Sequence, residues 1–234
     1  MKRASIEHEI IVVNDHSTDA TQSKLRDLVH VIPSLKYADN ERASGFGLAV
    51  RTGFDFCSGD AVAVYMADGS DTPADLIKFF RTMEDRKVEC VFGSRFVSGA
   101  RVVDYPLVKL ILNRITNLSI QILFGIPYND VTNAFKLYRR HVLEGLKPLL
   151  SPHYNLTVEL PLKAIVRGYS YCVVSNDWIQ RKTGKSKLKI QEMGSRYLFI
   201  ILYCFIEKLL SKGDYRRGNN LVDDRRLVQQ KGGF

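Results

Sequence analysis

Short apolar segments alternate with helical patterns through the first 95 residues, and this alternation most constrains the fold. Each apolar run has the length of a strand, and each intervening pattern has the period of an amphipathic helix. The predicted strands are "EIIVV" (9–13), "DAVAVYMA" (60–67) and "VECVFGS" (88–94), and the predicted helices are 18–30, 43–56 and a segment beginning near Pro73. The sequence therefore predicts an α/β fold with a mainly parallel sheet flanked by helices, whose ligands bind at the carboxyl ends of the strands.

Polar and acidic residues follow the first predicted strand, in "VNDHSTD" (13–19). Asp15 is placed to accept a hydrogen bond from a nucleotide base or a ribose hydroxyl. Ser17, Thr18 and Asp19 have a simpler role available, because these residue types commonly cap the N-terminus of a following helix. We therefore take Asp15 as a candidate substrate-binding residue.

A second acidic motif, "MADGSD" (66–71), follows the next predicted strand. It brings the carboxylates of Asp68 and Asp71 to one strand end, with Ser70 between them and Gly69 allowing a tight turn. Mg²⁺ binds to proteins through one or two carboxylates, while substrate phosphates complete its coordination, and Mn²⁺ also prefers oxygen ligands. The motif predicts a site for Mg²⁺ or Mn²⁺ and a diphosphate at Asp68, Ser70 and Asp71. An acidic turn with a helix cap is the alternative.

A basic segment near residue 185, "QRKTGKSK" (180–187), offers Arg181, Lys185, Ser186 and Lys187 around a glycine. Arginine can grip a phosphate bidentately, lysine adds a point charge, and glycine lets backbone N–H groups approach. The segment predicts phosphate binding, with a solvated basic loop as the alternative.

Two single residues are further candidates at the same rim of the sheet. Arg95 in "FGSRF" (92–96) comes just after a predicted strand. Asp130 in "YNDVTNAFKLYRR" (128–140) precedes a predicted strand and is either a rim carboxylate or a cap.

The positive charge is concentrated near the C-terminus. The net charge of the chain is +9, and residues 181–234 alone carry +8. Such a segment suits an anionic partner such as phosphate groups or an acidic membrane face. The basic segment lacks the interleaved aromatic residues of a nucleic-acid patch, so no nucleic-acid partner is expected. Four widely spaced cysteines predict neither a zinc site nor a disulfide framework and fit a reducing compartment.

Two apolar segments in the second half are predicted helices. The segment 105–125 contains Asn113, Arg114 and Asn117, so a bilayer span is not predicted. The segment "YLFIILYCFIEKLL" (197–210) is too short to span a bilayer, and it lies in a membrane interface or packs on the domain. The expected units of the chain are a globular domain over 1–190, an amphipathic helix over 191–212 and a basic flexible tail over 213–234.

These motifs, in this order, resemble family 2 glycosyltransferases with the GT-A (Rossmann-like) fold. The most similar branch moves a sugar from a nucleotide onto polyprenyl phosphate. "NERASGFGLAVRTGFDFCSGD" (40–60) is similar to the glycine-bearing helix of the family, and "DWIQRKTGKSKL" (177–188) to its phosphate-binding loop. The resemblance implies a nucleoside-diphosphate sugar donor, a polyprenyl phosphate acceptor, inversion at the anomeric centre and Mg²⁺ or Mn²⁺ as cofactor.

The resemblance also implies roles for single residues. The implied residues are, for catalysis, Asp68, Asp130 and Arg181; for substrate binding, Asp15, Arg95, Lys185, Ser186 and Lys187; and for the metal, Asp68, Ser70 and Asp71. The chain departs from the family at Met66 and Asn14, where the family has carboxylates. The family also has a central strand ahead of Ile10 that "MKRASIEH" does not supply, so we expect one strand of the sheet to be missing.

Because a polyprenyl phosphate stays in the bilayer, the resemblance implies a cytoplasmic protein bound peripherally at the cytoplasmic face of a membrane. Three alternatives remain open. A family relative with a sugar-hydroxyl acceptor would need a carboxylate base, for which Asp130 is the candidate. A catalytically inactive relative would act as a binding module. A nucleic-acid-binding module would explain the basic tail but not "MADGSD".

Overall fold

The computed structural model describes residues 1, 4–180 and 190–217, without the side chains of 190–193. Strands and helices alternate up to residue 94, as the sequence predicts for this part of the chain. The strands are β1 (Ile10–Asn14), β2 (Leu35–Asp39), β3 (Ala61–Val64), β4 (Cys90–Ser94), β5 (Val102–Val103), β6 (Lys136–Arg139), β7 (Tyr171–Ser175) and β8 (Trp178–Ile179). The helices are α1 (Thr21–Val31), α2 (Phe46–Phe56), α3 (Pro73–Arg86), α4 (Leu107–Phe124), α5 (Arg140–Gly145), α6 (Leu156–Val166) and α7 (Ile190–Leu210).

The strands pair in three groups. β1 and β2 are parallel, β3-β6-β4-β7 form a four-stranded sheet, and β5 and β8 form a short parallel pair. The pairing is mainly parallel, but β6 runs antiparallel to both β3 and β4. The register shows this direction, because Lys136 at the start of β6 lies opposite Phe92, whereas Tyr138 lies opposite Cys90 at the start of β4. The chain therefore enters β6 from the edge at which β4 ends.

Each of the three groups ends in strands that pair on one side only among the described strands. β1 pairs only with β2, and β3 pairs only with β6. The missing strand that we expect from the resemblance stays a prediction. β3 is shorter than the predicted strand 60–67, because the chain turns after Val64 and the Tyr65 hydroxyl donates to the Asp71 carbonyl at 2.7 Å.

Helix α3 fixes the position of the acidic motif against the core. Thr72 caps the helix by accepting from the Asp75 backbone N–H at 3.1 Å, and Pro73 occupies the first turn. Phe79 and Met83 on its inner face are fully buried, and Phe79 stacks on Phe135 with ring centroids 4.6 Å apart. The loop from 65 to 72 is therefore held between a buried sheet and a buried helix face.

The two apolar helices both pack on the domain and both expose apolar residues. In α7, Ile200 and Cys204 are fully buried, and Phe205 meets Phe124 of α4 edge to face. α4 is tied to the domain by its polar residues, since Asn113 donates to the Thr132 hydroxyl at 2.6 Å. Among the described helices, α4 alone is long and apolar enough to cross a membrane by length and composition.

Candidate active site

Asp15 directly follows β1, and groups around the start of α2 hold its carboxylate. Asn40 Nδ2 donates to Oδ1 at 2.8 Å, while the Gly45 backbone N–H and the Ser44 hydroxyl donate to Oδ2 at 3.0 and 3.2 Å. Burial raises the pKa of Asp15, but these hydrogen bonds outweigh it and hold the pKa below its ordinary value. With 28% of its side chain exposed, Asp15 is a fixed carboxylate open to a ligand.

Asn14 and Asp39 lie opposite each other at the ends of β1 and β2. Asn14 Nδ2 donates to Asp39 Oδ1 at 2.8 Å, so an acid at position 14 would face a second carboxylate. Asparagine, in place of the acid that the family has at position 14, therefore forms a hydrogen bond with Asp39. Sequence reasoning missed Asp39 because it did not recognise the strand "LKYAD" (35–39), in which the apolar residues Leu35, Tyr37 and Ala38 do not alternate strictly with polar ones.

The loop 151–153 lies so close to the first turn of α2 that there is no room for a side chain at Gly45 or Gly47. A Cβ at Gly45 would lie 2.5 Å from the Pro152 carbonyl oxygen, and one at Gly47 would lie 2.4 Å from the Ser151 carbonyl oxygen. The Leu48 backbone N–H donates to the Pro152 carbonyl at 3.2 Å. These contacts hold in place the turn that binds Asp15.

The acidic motif forms a tight turn after β3. Asp68 Oδ1 accepts from the Ser70 backbone N–H at 3.1 Å, and Gly69 has a positive φ of 72°, a conformation that favours glycine. Asp68 is exposed, whereas Ser70 and Asp71 are each only 5% exposed. The turn therefore presents one open carboxylate and one buried carboxylate.

The two carboxylates of the turn fit a divalent cation that also binds a diphosphate. Burial, reinforced by the negative charge of Asp68, raises the pKa of Asp71 to about 7. A bound cation would relieve this repulsion. Within the described residues, no group of three or more His, Cys, Asp or Glu could hold a metal ion by itself. A cation at Asp68 and Asp71 would thus need phosphate oxygens to complete its coordination, as Mg²⁺ commonly does.

The basic segment begins beside the acidic turn. Its predicted phosphate-binding residues Arg181, Lys185, Ser186 and Lys187 lie outside the described part of the chain. The strand that leads into them is described, and the backbone N–H of Ile179 in β8 donates to the Ser70 carbonyl at 3.3 Å. The end of β8, directly before the basic segment, therefore contacts the acidic turn.

Arg95 and Asp130 form a buried ion pair, which corrects the rim position predicted for Arg95 and differs from both roles considered for Asp130, a rim carboxylate or a cap. Arg95 Nε and Nη2 donate to the two carboxylate oxygens of Asp130 at 2.8 and 2.7 Å. Asp130 is fully buried and Arg95 is 9% exposed. Burial lowers the pKa of Arg95, but the Asp130 carboxylate outweighs it and raises the pKa above its ordinary value. The sequence could not show this, because the residues lie 35 positions apart.

Lys136 is a buried cation close to this pair that sequence reasoning missed. Its Nζ donates to the carbonyls of Val131 at 3.0 Å, Thr157 at 3.1 Å and Asn133. Burial lowers the pKa of Lys136 to about 7, although the Asp130 carboxylate acts in the opposite direction. Lys136 therefore joins the loop after Asp130 to the start of α6. In the sequence, only the apolar residues next to this lysine in "NAFKLYRR" indicate that it is buried.

Comparison with known proteins identifies the family. A sequence model described as glycosyl transferase family 2 matches residues 3–146. The chain is 32% identical over 185 residues to the polyprenol monophosphomannose synthase of Mycolicibacterium smegmatis, covering 76% of this chain and 69% of that protein. It is 27% identical over 193 residues to the undecaprenyl-phosphate mannosyltransferase of Micrococcus luteus, covering 80% of this chain and 79% of that protein.

The chain belongs to glycosyltransferase family 2. It is a glycosyltransferase, as the ordered motifs predict.

Solved structures show the same fold. Glucosyl-3-phosphoglycerate synthase from Mycobacterium tuberculosis, in complex with phosphoglyceric acid, superposes with a TM-score of 0.62 at 15% identity, covering 86% of this chain and 68% of that one. A complex of that synthase with Mn²⁺, uridine diphosphate and glucosyl-3-phosphoglycerate gives a TM-score of 0.60 at 13% identity, with the same coverage. The predicted α/β GT-A fold is confirmed.

Proposed function

We propose that this glycosyltransferase moves a sugar from a nucleoside-diphosphate sugar to a polyprenyl phosphate, with inversion at the anomeric carbon. The observation that carries this proposal is the contact between Ile179 and Ser70. It holds β8, the last described strand before the basic segment, against the acidic turn, and we propose that the basic residues of that segment act at the same rim. Two phosphorylated substrates that react with each other require such a mixed site.

On the donor side, the chain's own residues bind and orient the nucleotide. Asp15 accepts hydrogen bonds from the nucleoside, and the carboxylates of Asp68 and Asp71 lie where the diphosphate would bind. A Mg²⁺ or Mn²⁺ ion held there, with Ser70 in the same turn, would supply positive charge to the leaving diphosphate. The Tyr65 hydroxyl donates to the Asp71 backbone carbonyl at 2.7 Å and so fixes the position of Asp71 in the turn.

On the acceptor side, a phosphate oxygen is already anionic at neutral pH and needs no general base. A sugar hydroxyl would need one, and its candidate base, Asp130, is held in the buried pair with Arg95. This arrangement favours a phosphate acceptor over a hydroxyl acceptor. The basic residues Arg181, Lys185, Ser186 and Lys187 are proposed to bind the phosphates of both substrates. The names of the two mannosyltransferase relatives support a polyprenyl phosphate acceptor and make a mannose nucleotide the first donor to test.

The exposed faces of α4 and α7 support peripheral binding at the cytoplasmic face of a membrane. In α4, Ile111, Ile115, Leu118 and Ile122 are between 49% and 75% exposed at a helical spacing. In α7, the exposed apolar residues are Leu198, Phe199, Leu202, Ile206, Leu209 and Leu210. Because the two helices meet at Phe124 and Phe205, these faces belong to neighbouring elements. Apolar helix faces of this kind bind in the headgroup region of a bilayer, and basic residues strengthen binding to anionic lipid.

The activity is tested by incubating the protein with nucleotide sugars, Mn²⁺ and undecaprenyl phosphate in detergent, followed by mass spectrometry of the lipid fraction. The proposal predicts a glycosyl phospholipid whose anomeric configuration, read by NMR, is opposite to that of the donor. Asp68→Asn should abolish its formation, while the exposed Asp85→Asn on α3 should not. Transfer to sugar hydroxyls without any transfer to the lipid phosphate would refute the proposal.

Membrane binding is tested by co-sedimentation with liposomes. We expect stronger pelleting with anionic than with neutral lipid, and a loss of pelleting in Leu202→Glu, since Leu202 is 45% exposed and the charge remains compatible with folding. Val31→Glu is the matched control, because Val31 is 76% exposed on α1, which packs on β2. Equal pelleting of the wild type and Leu202→Glu would contradict the membrane role of α7.

A further inference from the structure

Trp178, the single tryptophan of the chain, lies on the short strand β8 that contacts the acidic turn. The next residue, Ile179, donates its backbone N–H to the Ser70 carbonyl at 3.3 Å. On the other edge of the strand, the Trp178 backbone N–H donates to the Arg101 carbonyl at 2.9 Å. The backbone of β8 is therefore held on both sides, by the acidic turn and by the segment that leads into β5.

The Trp178 side chain forms part of an aromatic surface at this rim. Successive side chains of a strand point to opposite faces, so Trp178 and Ile179 lie on different sides of β8. The Trp178 ring packs against the Tyr105 ring, with the two centroids 4.8 Å apart and the rings inclined by 41°. Trp178 is only partly buried, so it presents aromatic surface to a ligand at the rim.

The Tyr105 ring rests in turn on the buried ion pair of Arg95 and Asp130. The guanidinium carbon of Arg95 lies 5.4 Å from the centre of the Tyr105 ring, and Arg95 Nη1 donates to the Tyr105 hydroxyl at 3.4 Å. Arg95 is itself fixed by its hydrogen bonds to Asp130. The aromatic surface is thus supported by a group that cannot move without breaking a buried ion pair, and binding surfaces require such rigid support.

Polar and charged groups surround this aromatic surface. Burial raises the pKa of Asp71, and the charge of Arg95 acts in the opposite direction, so the guanidinium lies close enough to the acidic turn to interact with it. Asp177, next to Trp178, accepts from the Arg101 backbone N–H at 2.8 Å. A hydrocarbon chain is matched better by the exposed apolar residues of α4. The surroundings of Trp178 instead suit a ring that carries hydroxyl groups.

A hexose has the chemistry that this surface would bind. Its ring exposes C–H groups on one face and hydroxyl groups around the edge. The C–H face can pack on an aromatic ring, and an indole N–H can donate to a hydroxyl. In the proposed function, the nucleoside binds at Asp15 and the diphosphate at the acidic turn. The sugar is the part of the donor for which those residues supply no contact.

We infer that Trp178 is a sugar-binding residue, on whose ring the hexose of the donor stacks while the acidic turn holds the diphosphate. This inference rests on the proposed function, since it names the residue that positions the donor sugar of that reaction. It adds that the rim binds the sugar itself as well as the nucleotide.

The intrinsic fluorescence of the full chain tests the inference directly, because all tryptophan emission comes from Trp178. The protein is titrated to saturation with GDP-mannose and UDP-glucose and, in parallel, with GDP and UDP. Mg²⁺ is used because Mn²⁺ would itself quench the emission, and excitation at the red edge of the tryptophan absorption excites neither the tyrosines nor the nucleotides.

We expect the nucleotide sugar that binds to shift the emission to shorter wavelength, because its sugar removes water from the indole. The matching nucleoside diphosphate should leave the emission nearly unchanged. Identical spectra at saturation with the nucleotide sugar and with its diphosphate would overturn the inference.

Affinities of two variants, measured by calorimetry, supply an independent readout. Trp178→Ala should weaken binding of the nucleotide sugar about tenfold and leave the affinity for the nucleoside diphosphate unchanged, since only the sugar loses a contact. Trp178→Phe keeps an aromatic ring and should retain most of the affinity. Phe56→Ala is the matched control, because Phe56 is 58% exposed at the last residue of α2. A merely structural role would weaken binding of both ligands together, and that result would overturn the inference.

These outcomes separate the inference from the proposed function. If the wild type transfers sugar to the lipid but Trp178→Ala raises only the KM for polyprenyl phosphate, the inference is wrong and the proposed function stands. If the emission responds to the sugar but no lipid product forms, the inference stands and the proposed acceptor is wrong. If no nucleotide sugar binds, both fail. If Trp178→Ala does not fold, the fluorescence of the wild type decides.

Discussion

Replacing Asp130 with Asn distinguishes a buried ion pair from a catalytic base. In the structure, Asp130 accepts from the Arg95 backbone N–H at 3.0 Å and from Nε and Nη2 at 2.8 and 2.7 Å. An amide in its place keeps one acceptor but turns an NH₂ group toward the guanidinium. Arg95 would then be a buried cation without its counter-charge.

The expected cost follows from that geometry. Removing one partner of a buried, hydrogen-bonded ion pair destabilises a protein by about 3–5 kcal/mol. At about 2–4 °C of Tm per kcal/mol for a domain of this size, Asp130→Asn should lower Tm by roughly 6–20 °C. Replacing both partners, in Arg95→Met with Asp130→Leu, should restore much of that loss, because an apolar pair of similar volume leaves no charge unpaired.

The assay is denaturant unfolding of the wild type, Asp130→Asn, the single variants Arg95→Met and Asp130→Leu, and the double variant that combines the last two, with Asp85→Asn as the control for a surface carboxylate. The double-mutant cycle should give a coupling free energy of about 3 kcal/mol between Arg95 and Asp130. If Asp130→Asn unfolds at the same denaturant concentration as the wild type yet loses all transferase activity, Asp130 is a catalytic base and the reasoning is refuted.

Two further predictions concern the groups around the site. Burial lowers the pKa of Lys136 to about 7, so between pH 7 and the ordinary lysine pKa the unfolded chain binds more protons than the folded one, and stability should rise with pH. Relative to Lys136→Met, the wild type should gain about 2 kcal/mol in its free energy of unfolding between pH 7 and 9. Parallel curves of unfolding free energy against pH for the two proteins would disprove this prediction. Gly45→Ala should destabilise the fold by about 1–3 kcal/mol and weaken nucleotide binding, because its Cβ would lie 2.5 Å from the Pro152 carbonyl oxygen. Gly194→Ala, in open space on α7, should instead be neutral or stabilising, and similar melting temperatures for the two alanine variants would contradict the close approach at Gly45.

The fold could be predicted from local patterns because each strand and helix carries its own period. The runs at "EIIVV" and "VECVFGS" became β1 and β4, and the segment beginning near Pro73 became α3. The location of Asp68 and Asp71 at the end of a strand could be predicted from the same patterns, because it requires only that the apolar run before them forms a strand. Ligand-binding edges of α/β sheets are thus visible in sequence when the polar residues directly follow a strand.

Contacts between distant segments could not be predicted in this way. Arg95 and Asp130 each looked like an available rim residue, and only the packing of the loop before β6 against the end of β4 buries them together. Lys136 was not singled out in the sequence, because its burial depends on α6, which supplies the Thr157 carbonyl. The pairing of β1 with β2, and hence the contact of Asn14 with Asp39, likewise depends on a strand with a weak local signal.

Calorimetric titration with UDP and GDP, in Mn²⁺ and in excess chelator, tests the central claim that the acidic turn binds a metal-bound diphosphate. The wild type should bind one of the two nucleotides only when Mn²⁺ is present, and Asp68→Asn, which removes an anionic ligand but keeps the shape of the side chain, should lose that binding. Asp85→Asn should bind like the wild type. Equal nucleotide affinity in chelator and in Mn²⁺, or undiminished binding by Asp68→Asn, would contradict the account.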